Sequence, residues 1–431
     1  MKNSILKHIE KILKTLSAKV LNKYNPEVIA ITGSNGKSTT KEAIACVLRE
    51  KFTVLTSPGN YNTELGVPLT ILEQKIPRFF IGWPIILLKS YLYTFRKNYY
   101  QKLVLELAAD KPGDIDYLTS FIKPKVAVLT NIGPSHLEQF KTIENVAKEK
   151  RILLERTIDN GTLCLNKDDK KIRQMAQGLS RKIIWYGTDN SADIWASNFE
   201  QNLTGIKFNI NYKNDSLPII LHNVLGRHLV YPILAAVATG LIYEISLGKA
   251  IYGLKSIKLP FGRMNIILGI SDTIIIDDSY NANPSSMLAA LQTLEELDKK
   301  KIIKGRKIGV LGSMNELGDY EKEGHEQVGE KSAQVLDYLI TVGKPANQYL
   351  ASKAIETGLS RNKIYKFEDS INAGKFLKSF IKKDDIILVK GSQNNVRLEW
   401  AIEQIMAEPN KAKELLVRQK SPWEKPSKLG V

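Results

Sequence analysis

The sequence predicts an α/β protein with two domains, each built on a mostly parallel sheet. From residue 27 onward, short apolar segments alternate with segments of helical periodicity, which is typical of parallel strands covered by helices on both faces. The same alternation begins again after a connector containing proline and glycine at residues 255–265. A glycine-rich loop joins the first strand to the first helix of the alternation.

The chain has 431 residues, which is long enough for two or three domains with separate cores. We expect a basic amphipathic helix over residues 1–26, a central domain over 27–261 with an apolar insertion at 76–98, a second domain over 262–410, and a charged tail over 411–431. The central strands should be "EVIAIT" (27–32), "KLVLELAA" (102–109), "KVAVLTNI" (125–132) and "TLCLN" (162–166). In the second domain, "TIIIDDSY", "KIGVLGS", "YLITVG" and "DIILVKGS" are expected strands.

The N-terminal segment lacks the continuous apolar stretch of a signal peptide, so we expect a cytoplasmic protein. Its apolar residues recur at helical spacing with lysines between them: Ile5, Ile9, Ile12, Leu13, Leu16 and Val20. Two interpretations remain open, a helix that caps the first domain and an anchor at the membrane surface.

The segment "FFIGWPIILLKSYLYTF" (79–95) carries one charge, Lys89, and contains Gly82 and Pro84. Its length lies at the lower limit for crossing a bilayer, and Pro84 is expected to kink it. The sequence favours a buried or partner-packed hairpin. A monotopic membrane patch at the inner face of the membrane is the alternative, and a transmembrane span is the least favoured interpretation.

The composition limits the partners and cofactors. A formal charge of +17 favours polyanionic partners, but the chain carries no zinc-finger or aromatic RNA-binding signature, so we expect no nucleic acid. The two cysteines, Cys46 and Cys164, lie inside apolar runs and are expected in the core. Five histidines without an H-x-x-x-H pair argue against a zinc site. Small-molecule substrates and a monomeric chain are expected.

The loop "ITGSNGKSTT" (31–40) has the features of a phosphate-binding site. Backbone N–H groups and a helix N-terminus attract an anion, a lysine reaches the outer phosphates, and a hydroxyl can ligate Mg²⁺. It is a shortened variant of the usual pattern, with Ile31 where a glycine is expected. The sequence predicts that ATP is bound by Gly33, Ser34, Asn35, Gly36, Lys37, Ser38 and Thr39.

Six further motifs follow the loop in a constant order: "GNYNTELGVPLTIL" (59–72), "LELAADKPGDIDYL" (105–118), "TNIGPSHLEQFKTIENVAKEK" (130–150), "IIDDSYNANPSSM" (275–287), "VLGSMNELG" (310–318) and "VKGSQNNVRLE" (389–399). With the loop, this series resembles the Mur ligase family over roughly residues 27–420. The "DDSYNANP" box is similar to that of the D-alanyl-D-alanine-adding subfamily.

The resemblance implies a P-loop ATPase domain followed by a Rossmann-like C-terminal domain. It also implies an ATP- and Mg²⁺-dependent amide ligase of peptidoglycan synthesis, which adds D-Ala-D-Ala to a muramoyl-tripeptide through an acyl phosphate. Two alternatives stay open. One is another Mur-like amide ligase, of the folylpolyglutamate, cyanophycin or lipid-II-modifying type, and the other is a catalytically degenerate, nucleotide-dependent membrane scaffold.

By the resemblance, catalysis depends on Lys37, Glu106, His136 and Lys150. Lys37 would bridge the outer phosphates, while Ser38 and Glu106 would hold Mg²⁺. His136 and a carbamylated Lys150 would ligate a second metal, with Lys148 as the competing lysine. The family spacing favours Lys150, which follows His136 by fourteen residues.

The remaining predicted contacts are divided between nucleotide and substrate. For ATP they are Arg263, Asp278 and Asn283, and for the substrates they are Asn60, Asn62, Tyr280 and Ser392. The chain departs from the family pattern at Leu229 and Pro232, where amides are usual, and at Ser313 and Gln393. Residues 1–26 are too few for a UDP-binding domain, so we expect the acceptor to be held in another way.

Overall fold

The computed structural model describes residues 2–59, 61–393 and 396–419. The described residues form two compact units, the first within Met1–Asn198, Phe208–Ile219 and Leu229–Lys258, and the second within Phe199–Lys207, Ile220–His228 and Leu259–Val431. Two short segments that precede residue 261 therefore cluster with the second unit. The continuous ranges 27–261 and 262–410 stay a prediction.

The first series of elements begins with a long helix and then alternates strands with helices. In order these are α1 (Lys2–Tyr24), β1 (Glu27–Thr32), α2 (Lys37–Leu48), β2 (Val54–Thr56), α3 (Gly66–Ile71), α4 (Trp83–Tyr93), β3 (Lys102–Glu106), α5 (Asp114–Thr119), β4 (Pro124–Leu129), α6 (Leu137–Phe140), α7 (Ile143–Glu155), β5 (Thr162–Asn166), α8 (Lys170–Ala176), β6 (Lys182–Gly187), β7 (Ile194–Asn202), β8 (Gly205–Tyr212), β9 (Asp215–His222), α9 (Val230–Ile242) and α10 (Leu247–Leu254).

The second series repeats the alternation. It comprises β10 (Asn265–Leu268), β11 (Ile274–Asp277), α11 (Pro284–Lys299), β12 (Lys307–Gly312), α12 (Glu321–Val335), β13 (Tyr338–Val342), α13 (Ala351–Glu356), β14 (Ile364–Phe367), α14 (Ser370–Phe380), β15 (Ile386–Lys390), α15 (Glu399–Ile405) and α16 (Ala412–Leu415).

The sheets confirm the α/β class with mostly parallel pairing. The larger sheet has the strand order β2-β3-β1-β4-β5-β6-β7-β8-β9, and the smaller has β10-β11-β15-β12-β13-β14. In the larger sheet β1 pairs in parallel with β3 on one side and β4 on the other. The loops that follow these three strands therefore meet at one edge, where open α/β sheets bind ligands.

Four strands between residues 182 and 222, β6 to β9, have no counterpart among the strands predicted from the sequence. In β8 and β9 buried and exposed side chains are interspersed, and β9 begins with four exposed residues. A strand with one face toward solvent lacks the continuous apolar run by which the buried strands of the parallel sheet are recognised.

The prediction that segment 79–95 is a buried hairpin is wrong, whereas packing against a partner stays a prediction. Residues Phe80–Gly82 form a 3₁₀ turn and α4 follows directly, with Pro84 in its first turn, where proline interrupts no helical hydrogen bond and produces no kink. Most of the large apolar side chains here are exposed rather than buried. No helix in the described part of the chain is long and apolar enough to cross a membrane.

In the second unit, an ion pair joins Arg306, directly before β12, to Asp385, directly before β15. The guanidinium donates to both carboxylate oxygens, over 2.9 and 2.5 Å, and Asp385 is 1% exposed. Asp385→Ala would leave a partly buried guanidinium without its carboxylate. We therefore expect the free energy of unfolding to fall by about 3 kcal/mol. Chemical denaturation followed by circular dichroism measures this, with Lys383→Ala as the exposed control. Equal stability of the two variants would contradict the expectation.

Candidate active site

The loop between β1 and α2 has the backbone of an anion-binding turn. Gly36 adopts φ 79° directly before α2, and no side chain caps this helix, so its first N–H groups point toward the loop. Gly33 adopts φ 148°, and a Cβ there would lie 1.8 Å from Thr130 Oγ1. Only glycine fits at that position.

The loop is fixed by residues that follow β4. Asn131 Oδ1 accepts a hydrogen bond from Asn35 N over 2.7 Å, and the Asn131 carbonyl accepts one from Ser34 N over 2.9 Å. Ser34 Oγ in turn donates to the Gly133 carbonyl over 2.9 Å. Asn131 was not among the predicted site residues, although a polar side chain directly after a central strand is a signal that could have identified it.

Lys37, Ser38, Glu106 and Asn62 come together at this edge of the sheet. Lys37 Nζ donates to the Gly33 carbonyl over 2.8 Å, which keeps the ammonium at the loop. Ser38 Oγ donates to Glu106 Oε2 over 2.8 Å, and Asn62 Nδ2 donates to Glu106 Oε1 over 2.9 Å. Glu106 is only 3% exposed, and these two neutral donors orient its carboxylate.

Lys150 lies in the interior, whereas Lys148 is exposed. Burial is the main cause that lowers the pKa of Lys150 to about 7, and the positive charge of Lys37 lowers it further. Asp110, Glu149 and Glu106 act in the opposite direction. The structure therefore distinguishes the two lysines, and Lys150 is the one that faces the charges of the phosphate loop.

His136 adopts a left-handed backbone conformation, φ 51°, immediately before α6. Its Nε2 lies 3.4 Å from Asp110 Oδ1. Asp110 thus contacts His136 and also acts electrostatically on Lys150. It was not predicted as a site residue, although it lies four residues after Glu106 in the loop that leaves the same strand.

Two side-chain oxygens of this site are suited to bind Mg²⁺. Ser38 Oγ and Glu106 Oε2 are adjacent, and Mg²⁺ is commonly bound by one or two protein oxygens together with water and phosphate oxygens. Across residues 2–59, 61–393 and 396–419, no group of three or more His, Cys, Asp or Glu side chains is arranged to hold a metal ion. The full predicted ligand set of Ser38, Glu106, His136 and Lys150 stays a prediction.

A second polar cluster lies in the second unit, at the carboxyl ends of β11 and β15. Lys390 Nζ lies 2.6 Å from Asp278 Oδ2 and donates to the Asn281 carbonyl over 2.9 Å. The Arg263 guanidinium lies 4.0 Å from the centre of the Tyr280 ring. The predicted residues Arg263, Asp278 and Tyr280 therefore share one site with Lys390, which sequence reasoning did not single out.

Four buried polar atoms of the described residues in this cluster have no hydrogen-bond partner: Asp277 Oδ2, Ser279 Oγ, His228 Nδ1 and Arg263 Nε. Burial raises the pKa of Asp277 to about 7 and lowers the pKa of His228. Buried polar atoms without partners are uncommon in folded proteins, and a ligand that donates and accepts hydrogen bonds would satisfy them.

The remaining predicted contacts have structural roles. Asn283 caps α11, where its side chain accepts from Ser286 N over 2.9 Å. Ser392 Oγ accepts from Asn315 N over 2.9 Å. Asn60 lies outside the described residues. Contacts of Asn283 and Ser392 with ATP or substrate stay predictions.

A phosphate-binding loop, a carboxylate oriented beside it and a second α/β unit define a nucleotide-dependent enzyme of the P-loop class. Family profiles specify it further. The profile described as "Mur ligase middle domain" matches residues 31–78 and 85–240, and that described as "Mur ligase, glutamate ligase domain" matches residues 262–393. The chain belongs to the Mur ligase family.

Individual relatives agree with this assignment. The UDP-N-acetylmuramoyl-tripeptide–D-alanyl-D-alanine ligase of Bacillus subtilis is 30% identical over 398 residues, which cover 92% of this chain and 79% of the relative. The Escherichia coli ligase of the same name is 31% identical, covering 88% and 77%.

Solved structures show the same similarity. MurF of Thermotoga maritima in complex with ADP aligns with a TM-score of 0.76 at 27% identity, covering 94% of this chain and 84% of the other. MurF of Acinetobacter baumannii aligns with a TM-score of 0.75 at 28% identity, covering 90% and 78%.

Proposed function

We propose that this chain is an ATP- and Mg²⁺-dependent, ADP-forming peptide ligase of peptidoglycan precursor synthesis that joins D-Ala-D-Ala to a muramoyl-tripeptide. The observation that carries the proposal is the placement of Ser38, Glu106 and Lys37 around one phosphate-binding loop. Membership of the Mur ligase family and the names of the relatives supply the reaction type and the substrates.

The chemistry has two steps. A carboxylate oxygen of the tripeptide attacks the γ-phosphorus of ATP, the bond to the bridging oxygen breaks, and ADP leaves. The amine of D-Ala-D-Ala then attacks the acyl carbon, phosphate leaves, and the nitrogen loses a proton. Both reactants of the first step are anionic, so positive charge must offset their repulsion.

Lys37 at the loop and the N–H groups that begin α2 supply part of that charge. Ser38 and Glu106 would hold Mg²⁺, which when bound would neutralise phosphate charge. Asn62 keeps the Glu106 carboxylate turned toward Ser38. Within the second unit, the Arg263 guanidinium is a group of the kind suited to phosphate or carboxylate groups.

Lys150 is a candidate for carbamylation. Its neutral amine can attack CO₂ at the carbon, and the product is a carbamate and a released proton. That reaction converts the neutral amine into an anion, which the opposing charge of Lys37 would stabilise. Lys148 is exposed and lacks the burial that lowers the pKa of Lys150.

The proposal also covers the location of the chain, its oligomeric state and its contact with a membrane. We place the enzyme in the cytoplasm, where ATP is available, as a monomer that contacts a membrane peripherally through residues 1–24 and 79–95. The exposed apolar side chains of the second segment support membrane contact.

We expect phosphate release from ATP to require both the muramoyl-tripeptide acceptor and D-Ala-D-Ala. The measurement is a coupled phosphate assay with the purified chain, Mg²⁺ and the UDP-linked tripeptide, with the dipeptide present or omitted. Omission should lower the steady rate at least tenfold, because the acyl group then has no amine acceptor. Phosphate release that ignores the dipeptide would overturn the D-Ala-D-Ala assignment and favour another Mur-like ligase.

A further inference from the structure

Five apolar side chains form one continuous outward face along α4 and its two ends. We call Ile81, Ile85, Leu88, Leu92 and Phe95 the α4 stripe. Their spacing of four, three, four and three residues places them on one side of a helix. They are 84%, 59%, 59%, 58% and 57% exposed. This periodicity normally marks the face of a helix that packs against a core, yet here it faces solvent.

The opposite side of α4 is held firmly to the first unit. Trp83, Ser90 and Thr94 are nearly or fully buried. Lys23 Nζ of α1 donates to the Thr94 carbonyl over 2.9 Å. The Glu73 carboxylate accepts a hydrogen bond from Tyr93, the last residue of α4, and another from Arg96, which lies just beyond the helix. These contacts fix the rotation of α4, so the stripe faces outward because its other side is already packed.

Positive charge surrounds the α4 stripe. Residues 74–97 contain five lysines and arginines and no aspartate or glutamate, and of these Arg96 is paired with Glu73. The α1 side chain of Lys19 lies with its Nζ 5.2 Å from the Phe95 ring centre and 5.9 Å from that of Tyr91. Arg78 lies over the Phe79 ring at 5.5 Å, and Lys89 is exposed within the helix.

An apolar helix face flanked by cations fits the interface of an anionic bilayer. A second copy of this chain is a poorer occupant, because it would bring the same cations together. Crossing the bilayer is excluded for α4 by length: eleven residues rise about 16 Å, against a hydrocarbon core of about 30 Å.

We infer that the α4 stripe is a docking face for anionic lipid, with its apolar side chains in the acyl boundary and Lys19, Arg78 and Lys89 among the headgroups. This inference deepens the proposed peripheral membrane contact. It assigns the contact to α4 and the adjoining side of α1, and it specifies the charge of the lipid. It does not depend on the ligase reaction.

Co-sedimentation of the full chain with vesicles tests the inference. The vesicles are pure phosphatidylcholine or phosphatidylcholine with about one quarter phosphatidylglycerol, at low salt and at about 0.5 M salt, where charge attraction is screened. We expect binding to the anionic vesicles at low salt and at least tenfold weaker binding to the neutral ones. The variant Ile85→Gln/Leu88→Gln/Leu92→Gln should bind the anionic vesicles at least tenfold more weakly.

The matched control is Ile220→Gln/Leu268→Gln, which changes two other exposed apolar side chains and should bind like the wild type. Phosphate release by both variants should equal that of the wild type in the absence of lipid, which separates docking from the ligase reaction. Absence of binding to anionic vesicles would overturn the inference. So would equal binding by the stripe variant, or a stripe-dependent dimer seen by analytical ultracentrifugation in place of vesicle binding.

Discussion

Replacing Lys37 with alanine should lower the rate of ATP-dependent phosphate release by about 10²- to 10³-fold, the range found when one donor to a developing charge is removed. The Lys37 ammonium donates to the loop carbonyl of Gly33 over 2.8 Å and so is already at the phosphate site. Without it, the attack of a carboxylate on the γ-phosphorus brings two anions together with less positive charge between them. Steady-state phosphate release measures the effect.

The control for Lys37→Ala is Lys51→Ala, which removes an exposed lysine just after the far end of the same helix. It should retain the wild-type rate. Circular dichroism should show both variants folded, so that a lower rate reports chemistry or nucleotide binding. A Lys37→Ala enzyme with the wild-type rate would remove this loop from the reaction.

The central part of the fold could be predicted because its signals are local. Strand β1 was predicted with its observed bounds, and so was β5. Each is an apolar run whose burial follows directly from its composition. The phosphate loop is equally local, since its glycines and Lys37 lie within five consecutive residues of the chain.

The choice of Lys150 over Lys148 illustrates an intermediate case. The buried residues of α7 are Val146, Glu149, Lys150, Leu153 and Leu154, a helical stripe that includes position 150 and excludes position 148. Periodicity could therefore have placed Lys150 on the inner face. The charges that act on it there, those of Lys37 and Asp110, depend on the packing of separate loops.

Other features could not be obtained from local patterns. Lys390 meets Asp278, although more than a hundred residues separate them in the chain. The error at α4 has a different cause: an apolar helix is normally assigned to the interior, and nothing in its own sequence shows which side is already occupied. The occupied side of α4 is determined by α1 and Glu73, which contact the helix on its inner side.

Replacing Lys150 with alanine should lower the rate of phosphate release by about 10- to 100-fold, the range typical of groups that tune a metal or phosphate site. Lys150 is 1% exposed, and burial with the charge of Lys37 lowers its pKa to about 7. An appreciable fraction of the amine is then neutral at neutral pH and able to attack CO₂, whereas an ordinary lysine is almost wholly protonated. Truncation of this buried side chain to alanine should leave a cavity in its place.

Added formate or acetate should therefore restore part of the activity of Lys150→Ala, because either ion supplies the carboxylate that the carbamate would provide. The same salts should leave Lys148→Ala unchanged, since Lys148 is exposed and its loss removes no buried group. Sodium chloride at equal ionic strength controls for screening. Rescue distinguishes a carbamate from a structural lysine, since a packing defect would not respond to a carboxylate in particular. Full activity of Lys150→Ala without any additive would exclude Lys150 from the reaction.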